Sequence, residues 1–225
     1  MSRTRELAAG GRAVEVEPER LAGFLDRFAT GHSGAVATTV APQRVEVRAG
    51  DGWTALVQVP FGSLAGQPDQ RDGLAVDDLL EHLMTLRTVG LLLVRLGGYS
   101  VGIARAGVVL TSSTGSRPVH GRTAAGGQSQ QRFARRREGQ ARVALQAVAD
   151  TTARVLLTRA AELDAIVLGG DTTALRALAT DPRLAALLAR AEPRVLDVPE
   201  PRRAVLDEAA HRARCVEVQL RPSRP

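Results

Sequence analysis

Gly126, Gly127 and Gln128 stand four residues ahead of Arg132, which is followed by Arg135, Arg136 and Arg137. Two adjacent glycines let a backbone take positive φ and approach another molecule with no Cβ in the way. Glutamine adds a neutral amide that both donates and accepts, and arginine a planar fork of donors that matches phosphate. Such a tip can reach into a confined space while the arginines behind it clamp a polyanion. The charge is concentrated here: Gly115–Arg142 holds Arg117, Arg122, Arg132, Arg135, Arg136, Arg137 and Arg142 against one acid, Glu138. Its formal +6 equals the net charge of all 225 residues, so elsewhere basic and acidic groups cancel. A polyanion is the partner such a local patch fits.

The order within the stretch predicts its shape. Turn formers (Gly115, Ser116, Pro118, Gly121) and small residues (Thr123, Ala124, Ala125) lead to the Gly-Gly-Gln tip. Ser129 is a candidate N-cap, and no Pro or Gly follows until Gly139. A glycine-tipped loop feeding a long Arg-rich helix is expected. With a single acid among so many arginines, the helix start reads as a binding face, whereas a solvated face is normally laced with acids.

At these residues the chain becomes recognisable. The string GGQSQQRFARRRE resembles the catalytic loop and following helix of the eukaryotic and archaeal class-I peptide-chain release factors. A weaker resemblance runs from Val89 to Arg212 and includes DAIVLGGD at Asp164–Asp171. Those factors read stop codons with an Asn-Ile-Lys-Ser motif, which a chain without lysine cannot carry, and the chain stops soon after its last predicted helix. It therefore looks closer to the Vms-like release factors, peptidyl-tRNA hydrolases of ribosome rescue and quality control.

The resemblance implies a codon-independent hydrolase acting on stalled ribosomes or obstructed large subunits. Its substrate is the ester joining a nascent peptide to the 3′ end of transfer RNA, attacked by water in the peptidyl transferase centre, with no cofactor and no metal. It also implies roles. The backbone N–H of Gln128 stabilises charge on the leaving 3′ oxygen, its side chain positions water, and Gly126 and Gly127 permit the backbone shape. Arg117, Arg122, Arg132, Arg135, Arg136, Arg137 and Arg142 contact ribosomal RNA phosphates, and His120 shapes the loop or touches RNA. Two alternatives stay open: a nuclease cutting transfer RNA near its 3′ end, and a non-catalytic ribosome-binding plug.

Composition bounds the class. The 225 residues are 44% hydrophobic, enough for real cores, but only 3% aromatic, which argues against stacked aromatic platforms for nucleic acid. One cysteine, Cys215, excludes an internal disulfide and a Cys-based zinc site. The longest apolar run, Val89–Val94, is far short of a membrane span, and the N-terminus lacks an apolar signal core. A cytoplasmic protein with neither membrane nor DNA as partner is expected.

Periodicity then places the elements. Met1–Arg12 reads as a frayed start. Leu21, Phe24, Leu25 and Phe28 mark one face of a helix over 18–29. Strand-like runs at 35–40, 44–48 and 53–59 complete a small α+β unit, Trp53 being a core or sheet-face residue rather than a base-stacking one. Residues 62–73 read as a loop and 76–88 as an amphipathic helix, its His82 without companion ligands. The chain divides into 1–73, the α+β unit, and 74–225, a mixed-sheet α/β domain whose resemblance implies a ribonuclease H-like fold.

Its strands are expected at 89–96, 99–105 and 108–113, separated by Gly97-Gly98 and Ala106-Gly107 turns. Beyond the loop, Ala141, Leu145, Val148, Val155, Leu156 and Leu163 carry the helical pattern onward. Strand 165–168, helix 172–179, a helical run to Arg190, strand 194–198 and a helix 201–212 follow. The alternating CVEVQL at 215–220 predicts an edge strand. LGGD at 168–171 lacks the spacing of a nucleotide-binding fingerprint, so Asp171 reads as a turn residue or helix cap.

Overall fold

In a computed structural model of the chain, residues 3–8, 10–95, 98–116 and 129–222 are described, with the side chains of 129–138 left aside. The chain divides into two compact units, 1–86 with 214–225, and 87–213. It is an α/β protein with one antiparallel and one mixed sheet.

The first unit carries β1 (Thr4–Glu6), β2 (Arg12–Val16), α1 (Pro18–Gly31), β3 (Ala35–Ala41), β4 (Arg44–Ala49), β5 (Thr54–Gln58), β6 (Asp69–Asp72), α2 (Asp77–Met84) and the closing strand β12 (Val216–Arg221). Its sheet runs β1-β2-β12-β5-β4-β3-β6, antiparallel throughout. Alternation puts Val45, Val47, Ala55, Val57, Val216 and Val218 on one face, where they pack with Leu21, Leu25 and Phe28 of α1 and Leu79 and Leu83 of α2. Pro18 opens α1 at a position where its missing N–H has no helical partner to lose.

Three expectations are corrected here. The frayed start at 1–12 contains β1, and β2 begins at its last residue, Arg12. The loop at 62–73 contains β6, paired with β3 from Ala37↔Asp72 to Val40↔Asp69. The closing strand is not an edge: Val218 faces Val14 on one side and Val57 on the other. The compact units divide at Leu86/Arg87, where α2 shares its core with α1, and the chain returns to the first unit at Arg214.

The second unit opens with the expected meander: β7 (Thr88–Arg95), β8 (Gly98–Arg105) and β9 (Val108–Ser116). Ala106 and Gly107 have φ of 52° and 81°, the left-handed pair that a two-residue hairpin turn requires. After α3 (Ser129–Leu156) and a short 3-10 turn come β10 (Ala165–Gly170), α4 (Thr172–Ala179), α5 (Ala185–Leu188), β11 (Ala191–Leu196) and α6 (Arg203–Arg214). α5 is a single turn within the predicted run to Arg190, and β11 begins three residues before the predicted Arg194.

The sheet order is β11-β10-β7-β8-β9, with β7, β10 and β11 parallel and β7, β8 and β9 antiparallel. One face (Leu92, Val94, Val101, Ile103, Ile166) packs with Val148, Val155 and Leu156 of α3 and Leu175 and Leu178 of α4. The opposite face meets α6: a Cβ at Gly102 would lie 2.8 Å from Leu206 Cδ2. Helices on both faces of a mixed sheet make the three layers that alternating strands and helices predict.

Candidate functional site

The predicted tip and its approach, Arg117, His120, Arg122, Gly126, Gly127 and Gln128, lie outside the described residues. Arg132, Arg135, Arg136 and Arg137 are on the first turns of α3, where the backbone is helical. Arg142, further along that helix, is exposed. What the structure defines is the mounting from which the segment 117–128 departs and to which it returns.

The departure point is the end of β9, fixed in register by Tyr99↔Gly115 and Gly98↔Ser116. The Tyr99 hydroxyl lies 3.2 Å from Thr151 Oγ1 of α3, tying the strand beside β9 to the helix that follows the loop. Ser100 and Thr114 share a hydroxyl hydrogen bond of 2.7 Å, and Arg154 of α3 donates to Ser113 Oγ at 3.1 Å. Gly115 lies under the Tyr99 ring, where a Cβ would come within 2.5 Å of the phenolic oxygen. That close approach, and not a positive φ, requires a glycine here.

The return point is α3. Its 28 residues span about 42 Å at ~1.5 Å per residue. Ala144 is the first buried side chain among its described residues, followed by Val148, Ala149, Thr151, Thr152, Val155 and Leu156. Before it, Arg142 and Val143 are exposed and residues 139–141 only half-buried. The C-terminal half is therefore a root bedded in the core, as the apolar spacing predicts. The helix runs through Gly139, where a Cβ would meet nothing within 4 Å, so no packing contact demands that glycine.

Charges around the root are arranged so that its acids are occupied. Asp150 accepts from Arg183 at 2.9 Å and from Gln146 at 2.9 Å, and Asp181 binds the same guanidinium at 2.7 Å. Hydrogen bonding to Arg183 holds both carboxyls below the usual range and pushes the guanidinium up. At the far end of the strand after α3, Asp171 Oδ1 accepts from Thr173 N and Ala174 N. The cap reading of LGGD thus holds, and its own carboxylate fills the helix N-terminus that a phosphate would need. Gly169 is explained by packing: a Cβ would lie 2.7 Å from Leu93 Cδ2.

His82 is half-buried with Nε2 2.8 Å from the Pro60 carbonyl, the satisfied histidine that its isolation in the sequence predicts. Trp53 packs against the first unit's core, its ring 4.9 Å from that of His32. Among the described residues no three His, Cys, Asp or Glu side chains are grouped to hold a metal ion. Among them, too, no helix is long and apolar enough to cross a membrane.

The mounting residues Tyr99, Ser113, Gly115, Thr151 and Arg154 were not legible as a site. Their only signal was the hydroxyl-rich TSSTGS run leading into the loop. A family model described as Actinobacteria/chloroflexi VLRF1 release factor matches residues 87–219, which takes in the whole second unit and the loop it carries. No curated protein matches the chain.

Proposed function

The chain belongs to the Actinobacteria/chloroflexi VLRF1 release factor family, and from that premise we propose that it is a codon-independent peptidyl-tRNA hydrolase that frees nascent peptides from stalled ribosomes or obstructed large subunits. The observation that carries this reading is the position of Gly126-Gly127-Gln128. The tripeptide lies in the family-matched region, between a strand end pinned to the sheet and a helix whose far half is rooted in the core. A three-strand meander followed by two parallel strands supports the ribonuclease H-like assignment of that unit.

In the proposed reaction water attacks the carbonyl carbon of the peptidyl ester, the bond to the ribose 3′ oxygen breaks, and that oxygen takes up a proton. The peptide leaves as a carboxylate. The Gln128 N–H donates to the 3′ oxygen as charge develops there, a role in which loss of one donor typically costs about 10²–10³ in rate. The Gln128 amide orients the water, and Gly126 and Gly127 allow the tip to come close. Arg117, Arg122, Arg132, Arg135, Arg136, Arg137 and Arg142 bind ribosomal RNA phosphates, which position the tip without reading sequence. His120 supports the loop or contacts RNA. The protein acts in the cytoplasm and needs no cofactor.

The test is release of labelled peptide from peptidyl-tRNA on stalled ribosomes and on isolated large subunits, with the RNA 3′ end sequenced afterwards. Release with an intact 3′ end, sharply reduced in Gln128→Ala, which keeps the backbone N–H but loses the amide that orients the water, while ribosome binding persists, is the expected result. A shortened 3′ end would establish nuclease action instead. Binding without release by the wild type would leave a plug.

A further inference from the structure

From His82 to Arg137 the chain has no aspartate or glutamate in 56 residues, against nine arginines. The run covers the whole β7-β8-β9 meander as well as the loop, so the acid-free character extends from the loop into the folded sheet. Of its described arginines, Arg95 pairs with Asp197 and Arg87 feels Asp164 and Glu192. Arg105, beside the β8-β9 turn, is exposed and has no ion pair among the described residues. The same holds for Arg142 and Arg154 on α3.

Arg105, beside the turn that opens it, and Arg154, bonded to its Ser113, flank β9, which is an edge strand of nine residues without a single charge. The edges of the other sheet are different: β1 (TRE) and β6 (DQRD) carry mixed charges of the kind that blunt an edge. β9 presents hydroxyls instead. Thr111 and Ser116 are exposed, and Ser113 holds the Arg154 guanidinium at 3.1 Å, on the side of the sheet that α3 covers. Hydroxyls, edge amides with no strand partner among the described residues, and arginines with no ion pair among them together match a sugar–phosphate backbone. The fit to another protein strand is poorer, because Leu110 has no partner across β8 and the register shifts at that point, which bends the edge.

We propose that the β9 edge, with Arg105 and Arg154, is a second RNA-backbone contact on the packed unit, continuing the cationic track of the loop. It rests on the reading above in that the RNA is ribosomal. Its role is positioning, since none of these groups reaches the reacting ester.

The experiment measures affinity of the full-length protein for purified large ribosomal subunits over a salt series, comparing wild type, Gln128→Ala, Arg105→Ala and the double variant Arg105→Ala/Arg154→Ala. The double variant is expected to bind about tenfold more weakly, with a log–log salt slope shallower by about 2, near one per phosphate contact. Thermal unfolding of each variant checks that it is folded. Arg105→Ala alone, at a residue with no ion pair among the described residues, should take half of the slope change. Unchanged affinity and slope in a folded double variant would overturn the proposal. So would weaker binding at an unchanged slope, which would mark an uncharged contact with protein. Binding is read without release, so failure of the hydrolase reading shows in the wild type's release assay and failure of this one in the slopes.

Discussion

Gly115 illustrates what a single position contributes at the site's mounting. Its missing Cβ leaves room for the Tyr99 ring, and through that ring for the hydroxyl contact with Thr151. Gly115→Ala forces ring or strand to shift, at a cost of about 1–3 kcal/mol for an overpacked contact. Lower thermal stability and slower peptide release at unchanged salt dependence are expected, measured by unfolding and by single-turnover release. A variant with wild-type release would show that the loop needs no such support. The sequence made Gly126, Gly127 and Gln128 conspicuous because their role lies in their own backbone and side chains. Gly115 read there as a turn former, because its reason is a phenol sixteen residues away in sequence, brought across by β8-β9 pairing. Asp171 was legible as a cap because capping is a local contact, three residues at most.

At the scale of elements, legibility followed periodicity. Helix α1, the β7-β8-β9 meander and α4 were recoverable because each has an apolar face or a glycine turn of its own. Strands β1 and β6 were not: TRE and DQRD are short, charged and exposed, and only pairing with a neighbour makes them strands. The same locality governs α3. Its root is braced against the loop after α4 through Asp150 and Arg183, a link no helical spacing reveals. Because Asp150 and Asp181 have lowered native values, their contribution is complete above the ordinary carboxylate value near about 4. It is lost as pH falls through that value and on through the native ones. Asp150 is exposed and Asp181 half-buried, and the shared Arg183 is itself exposed, so solvent screening keeps the effect modest. Arg183→Ala should reduce the difference in unfolding temperature between about pH 5 and about pH 2.5. Equal acid sensitivity in wild type and variant would mean that this bridge does not brace the root.

The whole molecule separates charge as well as structure. Residues 87–213 hold 19 arginines against 11 acids, while 1–86 with 214–225 hold 11 against 13. The cationic unit therefore sits as an insertion in a mildly acidic one, whose sheet is closed by β12 between β2 and β5. Alternation in VEVQL gave the strand and its buried face, but alternation looks the same at an edge and at the centre, so its place was illegible. That place has a measurable consequence, because the only tryptophan, Trp53, lies in the first unit and the only tyrosine, Tyr99, in the second. A chain ending at Arg214 loses Val216, Val218 and Leu220, each at most 3% exposed, and leaves β2 and β5 with bare facing edges. Burial of that much apolar surface contributes about 1.5–3 kcal/mol per side chain, a large share of a small unit's stability. The truncated chain should show Trp53 emission shifted toward that of the unfolded protein while Tyr99 keeps its native near-ultraviolet dichroism. Retained native Trp53 emission would show that residues 1–86 hold their sheet without the returning strand. Simultaneous loss of both signals would mean that the inserted unit depends on its carrier to fold.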